Sequence, residues 1–281
     1  MGCPVRTGGC VRVLIIPDDT SRRTRILAGA YETRLSSLNP YETQELVDQY
    51  LAFHYAEPGE YLTWEAGPAT ALDFAVRTVR EGFDLPGVSA SARALDVGCA
   101  VGRSSFELSA VADEVIGIDF SAAFVEAAEA IRRDGDLSYR ILVEGSSTVD
   151  AIAKRPDVAH ADRVRFEVGD ATALRPDLGS FDLVHAANLI CRLPEPKKFL
   201  SRLPELVRAG GHLVLTTPCT WLGEFTRPEF WPEGPTLEWL ESELGGAFEL
   251  EFSADVPFLI RETARKFQWT VSQLSRWRRI A

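Results

Sequence analysis

The stretch Ala94–Ser105, ALDVGCAVGRSS, constrains this 281-residue chain more than any other. A short apolar strand over 93–97 leads into Gly98 and Gly102, where a helix begins. A second apolar strand follows and ends in Asp119. In a parallel α/β sheet, such glycines let the backbone approach a ligand, and the acid accepts hydrogen bonds from ribose hydroxyls. The pattern therefore predicts a pocket for a nucleoside-bearing cofactor.

The spacing of the glycines separates two cofactor classes. A dinucleotide fingerprint has Gly at its first, third and sixth positions. Here the third position is Ala100, the sixth is Arg103, and the second glycine, Gly102, stands at the fifth. This G-x-A-x-G form, with Asp119, resembles the first two motifs of class I S-adenosylmethionine (SAM) methyltransferases. A nicotinamide oxidoreductase and a glycine turn without a ligand are the alternatives at this point.

Composition and charge argue against two classes of partner. The net charge of −11 and the pI near 5.0 disfavour nucleic acid, because phosphate contacts need Lys and Arg. No apolar run approaches the length of a membrane span. The five cysteines are scattered and have no metal-ligand spacing, which favours reduced thiols. We expect a cytoplasmic protein with no metal site and no nucleic-acid or membrane partner.

The hydrophobic pattern predicts a tail and one large domain. Residues 1–30 are expected to be a disordered tail, and 31–281 a SAM-dependent methyltransferase domain. Within that domain, 31–90 would supply N-terminal capping helices, predicted at 42–57 and 69–83, and 91–281 a Rossmann-like core.

Strands and helices alternate through the predicted core. Strands are predicted at 93–97, 114–119, 163–168, 182–187, 211–217, 248–252 and 268–278; helices at 102–112, 121–133 (with Ser121 as N-cap), 196–207 and 236–244; and an irregular insertion at 137–162. This order predicts an α/β fold: the doubly wound, mostly parallel seven-stranded sheet of class I methyltransferases, with an antiparallel last strand.

Ligands of open α/β sheets bind outside the carboxyl ends of the strands. We therefore predict cofactor-binding residues at four strand ends. They are Gly98, Cys99, Gly102 and Arg103 near the methionine part, Asp119 and Phe120 near ribose and adenine, Asp170 and Ala171 near the adenine amino group, and Asn188 near the sulfonium.

Several stretches carry a more specific resemblance. They are Tyr41-Glu42-Thr43 with Tyr50-Leu51-x-Phe53-His54-Tyr55, Arg93–Leu108, Ala186–Ile190, Thr220-Trp221-Leu222-x-Glu224-Phe225-Thr226, and Ile260–Gln268. Together they are similar to the methyltransferase module of ovothiol biosynthesis, over about Tyr41–Arg279. The resemblance implies methylation of the imidazole π-nitrogen of 5-thiohistidine (4-mercaptohistidine), giving ovothiol A and S-adenosylhomocysteine (SAH). That module is usually fused behind a non-haem iron sulfoxide synthase, a domain that these 281 residues do not include. We therefore expect a stand-alone methyltransferase or an excised module, with the synthase as a separate protein.

We expect the acceptor to be a small zwitterion, and its charged groups determine which residues are predicted to bind it. The strand-four sequence Ala187-Asn188-Leu189-Ile190 lacks the Asn/Asp-Pro-Pro-aromatic pattern of nucleic-acid amino methyltransferases. A carboxylate favours an arginine fork, and an ammonium group an acid or an amide oxygen, for which Asn188, Glu224 and Glu262 are candidates. The predicted substrate-binding residues are Tyr50, Asn188, Arg192, Trp221, Phe225, Arg261, Glu262 and Lys266.

Methyl transfer from a sulfonium is an in-line displacement, so the enzyme mainly aligns the acceptor and excludes water. The π-nitrogen must present a lone pair, and a base or acceptor for the ring proton is therefore expected. His54, Tyr55 and Glu224 are the candidates, in falling order. The alternatives are a methyltransferase acting on oxygen or carbon of another small molecule, and a SAM-binding protein without catalysis.

Overall fold

A computed structural model describes residues 39–89 and 91–280 of the chain. The predicted tail at 1–30 lies outside the described residues.

Seven strands of the described chain form one sheet, in the order β5-β2-β1-β6-β7-β9-β8. Their bounds are β1 Arg93–Val97, β2 Glu114–Asp119, β5 Val164–Val168, β6 Phe181–Ala187, β7 Val207–Thr217, β8 Phe248–Arg261 and β9 Phe267–Arg279. The first five are parallel, and β9 runs antiparallel to both β7 and β8. Central strands such as β1 are buried on both faces, as expected where helices cover a parallel sheet. The predicted fold class is confirmed.

The helices of the described residues, apart from the short one at Pro58–Tyr61, lie at the predicted positions, four of them with shorter bounds. They are α1 Gln44–Tyr55, α2 Pro58–Tyr61, α3 Phe74–Arg80, α4 Arg103–Leu108, α5 Ala122–Asp134, α6 Pro196–Leu206 and α7 Thr236–Leu244. Ser121 caps α5 as predicted, its hydroxyl accepting from the Phe124 N–H at 3.1 Å. The helix predicted over 69–83 is broken, because Asp73 takes the left-handed conformation with φ 56°. Only 74–80 continue as α-helix.

Two apolar cores lie on the two faces of the sheet. One joins α1 and α3 to the sheet through side chains such as Leu51, Phe74 and Phe258. The other packs α6 and α7 through Phe199 and Trp239, among others. The capping helices are thus part of the core and not a detachable appendage.

The insertion predicted to be irregular, 137–162, is mostly a β-hairpin. Strand β3 (Asp136–Glu144) pairs with β4 (Ser147–Lys154), and Gly145 makes the turn with φ 56°. Tyr139 and Ile141 alternate with exposed residues and are buried. That period of two is the signature of a half-buried strand, and the prediction overlooked it.

The last hairpin is longer than predicted. Strand β8 extends to Arg261 instead of ending at 252, and it stays paired with β9 throughout. Because β7 ends at Thr217, opposite Gln273, the far part of the hairpin continues beyond the carboxyl edge of the sheet. There Phe258 packs against Phe74, with 4.9 Å between ring centroids.

Candidate active site

The turn after β1 (98–102), which together with Asp119 we call the cofactor turn, is held by unusual backbone conformations. Gly98, Ala100 and Gly102 all have positive φ, at 75°, 47° and 87°. A Cβ at Gly102 would lie 2.7 Å from the Phe166 ring, so only glycine fits there. The Gly98 N–H donates to the carbonyl of Ile118 at 2.7 Å, which ties the turn to β2. The backbone of this turn is therefore held in a conformation that a ligand can approach closely.

Asp119 closes the turn from the neighbouring strand. Its Oδ2 accepts from the Ala100 N–H at 2.8 Å, and its Oδ1 accepts from the Ser121 N–H at 2.9 Å. Burial raises the pKa of this carboxyl to about 6, against the lowering effect of those hydrogen bonds. Each oxygen keeps a further lone pair that a ribose diol can use. Phe120 follows with 64% of its surface exposed, an apolar face where an adenine ring is expected.

The remaining predicted cofactor residues of β1 and β5 are placed at the same edge. Cys99 is buried, and burial raises the pKa of its thiol. Asp170 accepts from the N–H and the hydroxyl of Thr172, both at 2.7 Å, through Oδ1 alone. Its Oδ2 makes no hydrogen bond to the described residues, and Ala171 beside it is buried. Asp170 therefore caps the turn through Oδ1, and its Oδ2 is available to accept a hydrogen bond from a ligand.

Arg103 begins α4 and pairs with the buried Glu107, which also binds Arg80 at 2.8 Å. This pairing holds the Arg103 guanidinium beside the capping helix, where its charge acts on His54. Arg103 is thus fixed at the cofactor turn by an acid that the sequence pattern does not predict.

His54 lies on α1 against the cofactor turn. Burial, with a smaller contribution from Arg103, lowers the pKa of its imidazole to about 3, so the ring is neutral at physiological pH. Its Nδ1 is buried with no hydrogen-bond partner. The neighbouring Tyr55 differs, because its hydroxyl donates to the carbonyl of Val101 at 2.8 Å. Tyr55 therefore fastens the helix to the turn and is not placed to act as a base.

Four aromatic rings, Tyr41, Tyr50, Phe124 and Phe225, meet beside Asp119; we call them the aromatic cluster. Tyr41 stands at its centre, with ring centroids 5.9 Å from Tyr50, 5.6 Å from Phe124 and 6.5 Å from Phe225. The charge of Asp119 acts on Tyr41 and Tyr50, and burial raises the pKa of both phenols.

Arg192 adds a cation to this cluster. Its guanidinium lies 4.9 Å from the centroid of the Phe225 ring, and its charge acts on both tyrosines. Nη1 donates to the carbonyls of Cys191 (3.1 Å) and Thr220 (2.9 Å), and Nη2 donates to the Thr220 hydroxyl at 3.4 Å, which leaves Nε–H and one N–H of Nη2 for a ligand. The structure thus brings together Tyr50, Arg192 and Phe225, three of the predicted substrate residues.

Glu42 fixes the aromatic cluster and was not predicted. Its two carboxylate oxygens accept from the N–H groups of Ala122 (2.9 Å) and Ala123 (3.1 Å) in the first turn of α5. The Ser121 hydroxyl donates to the carbonyl of Tyr41 at 2.9 Å. A carboxylate that caps a helix 80 residues further along the chain leaves no local sequence signal.

Asn188, at the end of β6, has φ 52° and is hydrogen-bonded to two strands. Its N–H donates to the carbonyl of Thr216 at 2.9 Å. Its Oδ1 accepts from the hydroxyls of Thr216 (3.0 Å) and Ser272 (2.7 Å). The side-chain oxygen is therefore already used, which argues against the predicted role of this oxygen in binding a substrate ammonium.

The other predicted substrate residues lie elsewhere. Trp221 packs on Trp239 and donates to the Thr236 hydroxyl, and Glu224 is exposed. Arg261 is buried and donates to the carbonyls of Glu60 and Tyr61, so it joins α2 to β8. Glu262 and Lys266 pair with each other at 2.5 Å in the turn of the last hairpin. Local spacing could not reveal that the hairpin carries these residues past the strand ends.

A buried polar network lies under the cofactor turn. Asp96 on β1 accepts from the Ser105 hydroxyl at 2.6 Å and lies 2.8 Å from His185 Nδ1 on β6. The opposite ring nitrogen of His185 lies 3.1 Å from the Thr78 hydroxyl on α3. All four side chains are buried, so the network joins two strands and two helices where water cannot compete.

Comparison with known proteins identifies the arrangement. Residues 95–215 match the family model described as a methyltransferase domain. Over 149 residues, or 53% of this chain, it is 28% identical to demethylmenaquinone methyltransferase of Renibacterium salmoninarum. Residues 95–215 are thus similar to a methyltransferase domain, and the sheet has the class I methyltransferase fold. It spans about half (48%) of the length of that curated relative.

Two solved structures share the fold of this chain. The N-methyltransferase NodS from Bradyrhizobium japonicum WM9, in complex with SAH, has 16% identity and a TM-score of 0.50, covering 83% of this chain and 98% of its own. The [4+2]-cyclase SpnF also has 16% identity and a TM-score of 0.50, covering 85% of this chain and 98% of its own. Because one of them is named as a cyclase, the fold alone does not assign the reaction. Among the described residues, no helix is both long and apolar enough to cross a membrane.

Proposed function

We propose that this protein transfers a methyl group from SAM to the imidazole π-nitrogen of 5-thiohistidine, forming ovothiol A. The observation that carries the proposal is the position of Arg192 and the aromatic cluster beside Asp119. A cation next to flat rings suits an amino acid that has both a carboxylate and an imidazole. The resemblance of the stretches within 41–279 to the ovothiol module supports the choice of acceptor.

The residues of the cofactor turn fit SAM. Asp119 has lone pairs for the ribose hydroxyls, and Phe120 has an exposed face for adenine. The left-handed turn at Gly98 and Gly102 has no side chain to obstruct the methionine part. When bound, SAM supplies an electrophilic methyl group, and the protein need only align the acceptor and exclude water.

Three side chains have proposed roles toward the acceptor. Arg192 binds its carboxylate through the guanidinium N–H groups that remain available. Phe225, under the guanidinium, packs against the acceptor ring. His54 is held neutral, and a pKa of about 3 makes it a poor proton abstractor but a usable hydrogen-bond acceptor. By accepting from the other ring N–H, it keeps the proton off the π-nitrogen.

We also infer where this protein acts in a reaction sequence. The acceptor is a small histidine-derived thiol, supplied by an iron-dependent sulfoxide synthase that acts before this protein. The site is not proposed to take nucleic acid or lipid. We propose that the reaction takes place in the cytoplasm, where the free Cys99, Cys191 and Cys219 stay reduced.

The test incubates the purified full chain with SAM and, separately, 5-thiohistidine, histidine and the sulfoxide conjugate of histidine with cysteine. We expect SAH and a singly methylated product with 5-thiohistidine alone, and nitrogen-resolved NMR should place the methyl group on the π-nitrogen. Methylation of another acceptor, or SAH binding without turnover of any acceptor, would contradict the proposal.

A matched pair of variants tests the role of Arg192. Arg192 and Arg227 each stack on a phenylalanine at 4.9 Å, but Arg227 pairs with the exposed Glu229, away from the aromatic cluster. We expect Arg192→Lys to raise the KM for the acceptor by about tenfold or more, because lysine lacks the bidentate fork. Arg227→Lys should leave KM unchanged. Equal effects would show that stacking, and not acceptor binding, explains Arg192.

A further inference from the structure

The side-chain amide of Asn188 is oriented by two buried hydroxyls. Thr216 on β7 and Ser272 on β9 are both fully buried, and their hydroxyl oxygens lie 3.0 and 2.7 Å from the same atom, Asn188 Oδ1. The Thr216 hydroxyl oxygen also accepts from the Asn188 backbone N–H at 3.0 Å. Two side chains from different strands therefore converge on one atom of the amide.

The protons of those hydroxyls decide which end of the amide faces them. A buried hydroxyl must donate its proton to an acceptor, and among the described residues both hydroxyls have Asn188 Oδ1 as that acceptor. With the amide turned over, its NH2 group would face both hydroxyls. Their two protons would then have no acceptor, at a cost of about 1–3 kcal/mol for each buried group. The oxygen therefore points inward.

The amide NH2 group is the remaining end of the side chain. Asn188 Nδ2 makes no hydrogen bond to the described residues, yet it is not among the buried side-chain atoms that lack a partner. It therefore faces open space at the end of β6. That strand end lies against the cofactor turn, since a Cβ built on Gly98 would be 3.1 Å from the Leu189 side chain.

We propose that Asn188 is a specificity-determining residue that offers the acceptor only N–H donors. An acceptor that presents a lone pair or a negative charge at this position is selected, and one that presents an ammonium or a C–H group is rejected. This inference rests on the proposed function, in which the group that Asn188 recognises is the thiolate sulfur of 5-thiohistidine. Histidine has a C–H group there, which would leave the N–H donors of Asn188 unpaired.

The decisive variant is Asn188→Asp, because its carboxylate still accepts from Thr216 and Ser272 but presents negative charge in place of donors. We expect kcat/KM for 5-thiohistidine to fall by about a hundredfold or more, and by about tenfold in Asn188→Ala. The Kd for SAH, measured by calorimetry, should change by less than about threefold, since SAH is uncharged at sulfur. An Asn188→Asp enzyme with unchanged preference for 5-thiohistidine over histidine would overturn the proposal.

A second variant tests the hydroxyls that orient the amide. Ser272→Ala removes one of the two donors, so the amide can turn over, and we expect the preference for 5-thiohistidine over histidine to fall by about five- to tenfold. Ser275→Ala is the control on the same strand, because its buried hydroxyl accepts from Trp277 Nε1 at 2.9 Å. The control should leave the preference unchanged even if it lowers stability. An equal loss of preference in both variants would contradict the role of Ser272.

A measurement that needs no substrate separates this proposal from the proposed function. The side-chain amide protons of Asn188, assigned in ¹⁵N NMR spectra by their loss in Asn188→Asp, should exchange rapidly with water. Slow exchange would show that they are bonded to the buried hydroxyls and would overturn the donor-only assignment. If exchange is rapid but 5-thiohistidine is not methylated, the proposed acceptor is wrong and the polarity of the site stands.

Discussion

The cofactor turn (98–102 with Asp119) and the cap (40–61) are built in different ways. The turn is made from backbone: three residues with positive φ, tied by N–H groups to Ile118 and Asp119. The cap is made from side chains, such as Glu42 and Tyr55, that reach residues distant in the sequence. The turn is therefore suited to a cofactor that many enzymes share, whereas we propose that the cap, together with Arg192 and Phe225, contacts the acceptor. Separate substitutions in the two regions test that division.

The largest effect is expected at Gly102. In Gly102→Ala, the left-handed backbone and a Cβ only 2.7 Å from the Phe166 ring should together lower the free energy of unfolding by about 3 kcal/mol. Gly210→Ala is the control, because Gly210 also has positive φ but its Cβ would meet nothing within 4 Å, so about 1 kcal/mol is expected. Urea unfolding measures both. Equal losses would show that the turn is not tightly packed.

His54 tests the cap. We expect His54→Ala to lower kcat by about a hundredfold, because the acceptor ring loses the hydrogen bond that keeps the proton off its π-nitrogen, with the SAH Kd nearly unchanged. The exposed His160 supplies the control, His160→Ala, which should alter neither quantity. A parallel loss of SAH affinity would assign His54 to the cofactor turn instead.

The low pKa of His54 also predicts a dependence of stability on pH. The unfolded chain takes up a proton near the ordinary histidine value while the folded chain does so only near pH 3, so stability should fall as the pH drops below about 6.5. Denaturant titrations between pH 7 and 5 should show a smaller fall in His54→Ala. The same slope in both proteins would contradict the burial of a neutral ring.

Asp119 tests the cofactor turn. We expect Asp119→Ala to weaken SAM binding by about 1–3 kcal/mol, because the ribose hydroxyls lose a buried acceptor. With its pKa raised to about 6, the carboxyl is protonated below that value, so SAM affinity should be constant above about pH 7 and fall as the pH drops below 6. Calorimetry across this range checks both. An affinity independent of pH and of the substitution would contradict the ribose contact.

The smallest effect is expected at Glu42, which links the two regions. Glu42→Gln exchanges one carboxylate oxygen for an NH2 group that faces the N–H groups of α5, so we expect KM for the acceptor to rise by about five- to tenfold. The exposed Glu45 provides the control, Glu45→Gln, which should behave as the unaltered protein. A change in kcat alone would argue against a positioning role.

The sequence predicts the cofactor turn far better than the acceptor side. Glycine spacing and a strand-terminal acid are local signals, and Gly98, Gly102 and Asp119 are consequently found where expected. The substrate role of Arg261 was inferred from chain order alone, but β8 is longer than its apolar pattern indicates and buries that guanidinium between α2 and β8. No local pattern reveals such a register-dependent contact.

The orientation of Asn188 shows the same limit. The sequence places an amide at the end of β6, but only the pairing of β6 with β7 and of β7 with β9 brings Thr216 and Ser272 to it. Those partners determine whether the free end of the amide donates or accepts hydrogen bonds. Residue type and strand position alone therefore left its polarity open.

The buried pair of Asp96 and His185 has a consequence for redesign. Replacing one partner by an apolar residue would leave the other uncompensated away from water, at a cost of about 3–5 kcal/mol, whereas exchanging both for well-packed apolar residues is often neutral or stabilising. Laboratory evolution that samples one substitution at a time should therefore leave this layer intact. A library that changes the two positions together, with Ser105 and Thr78, is the practical route to a more robust scaffold for new acceptors.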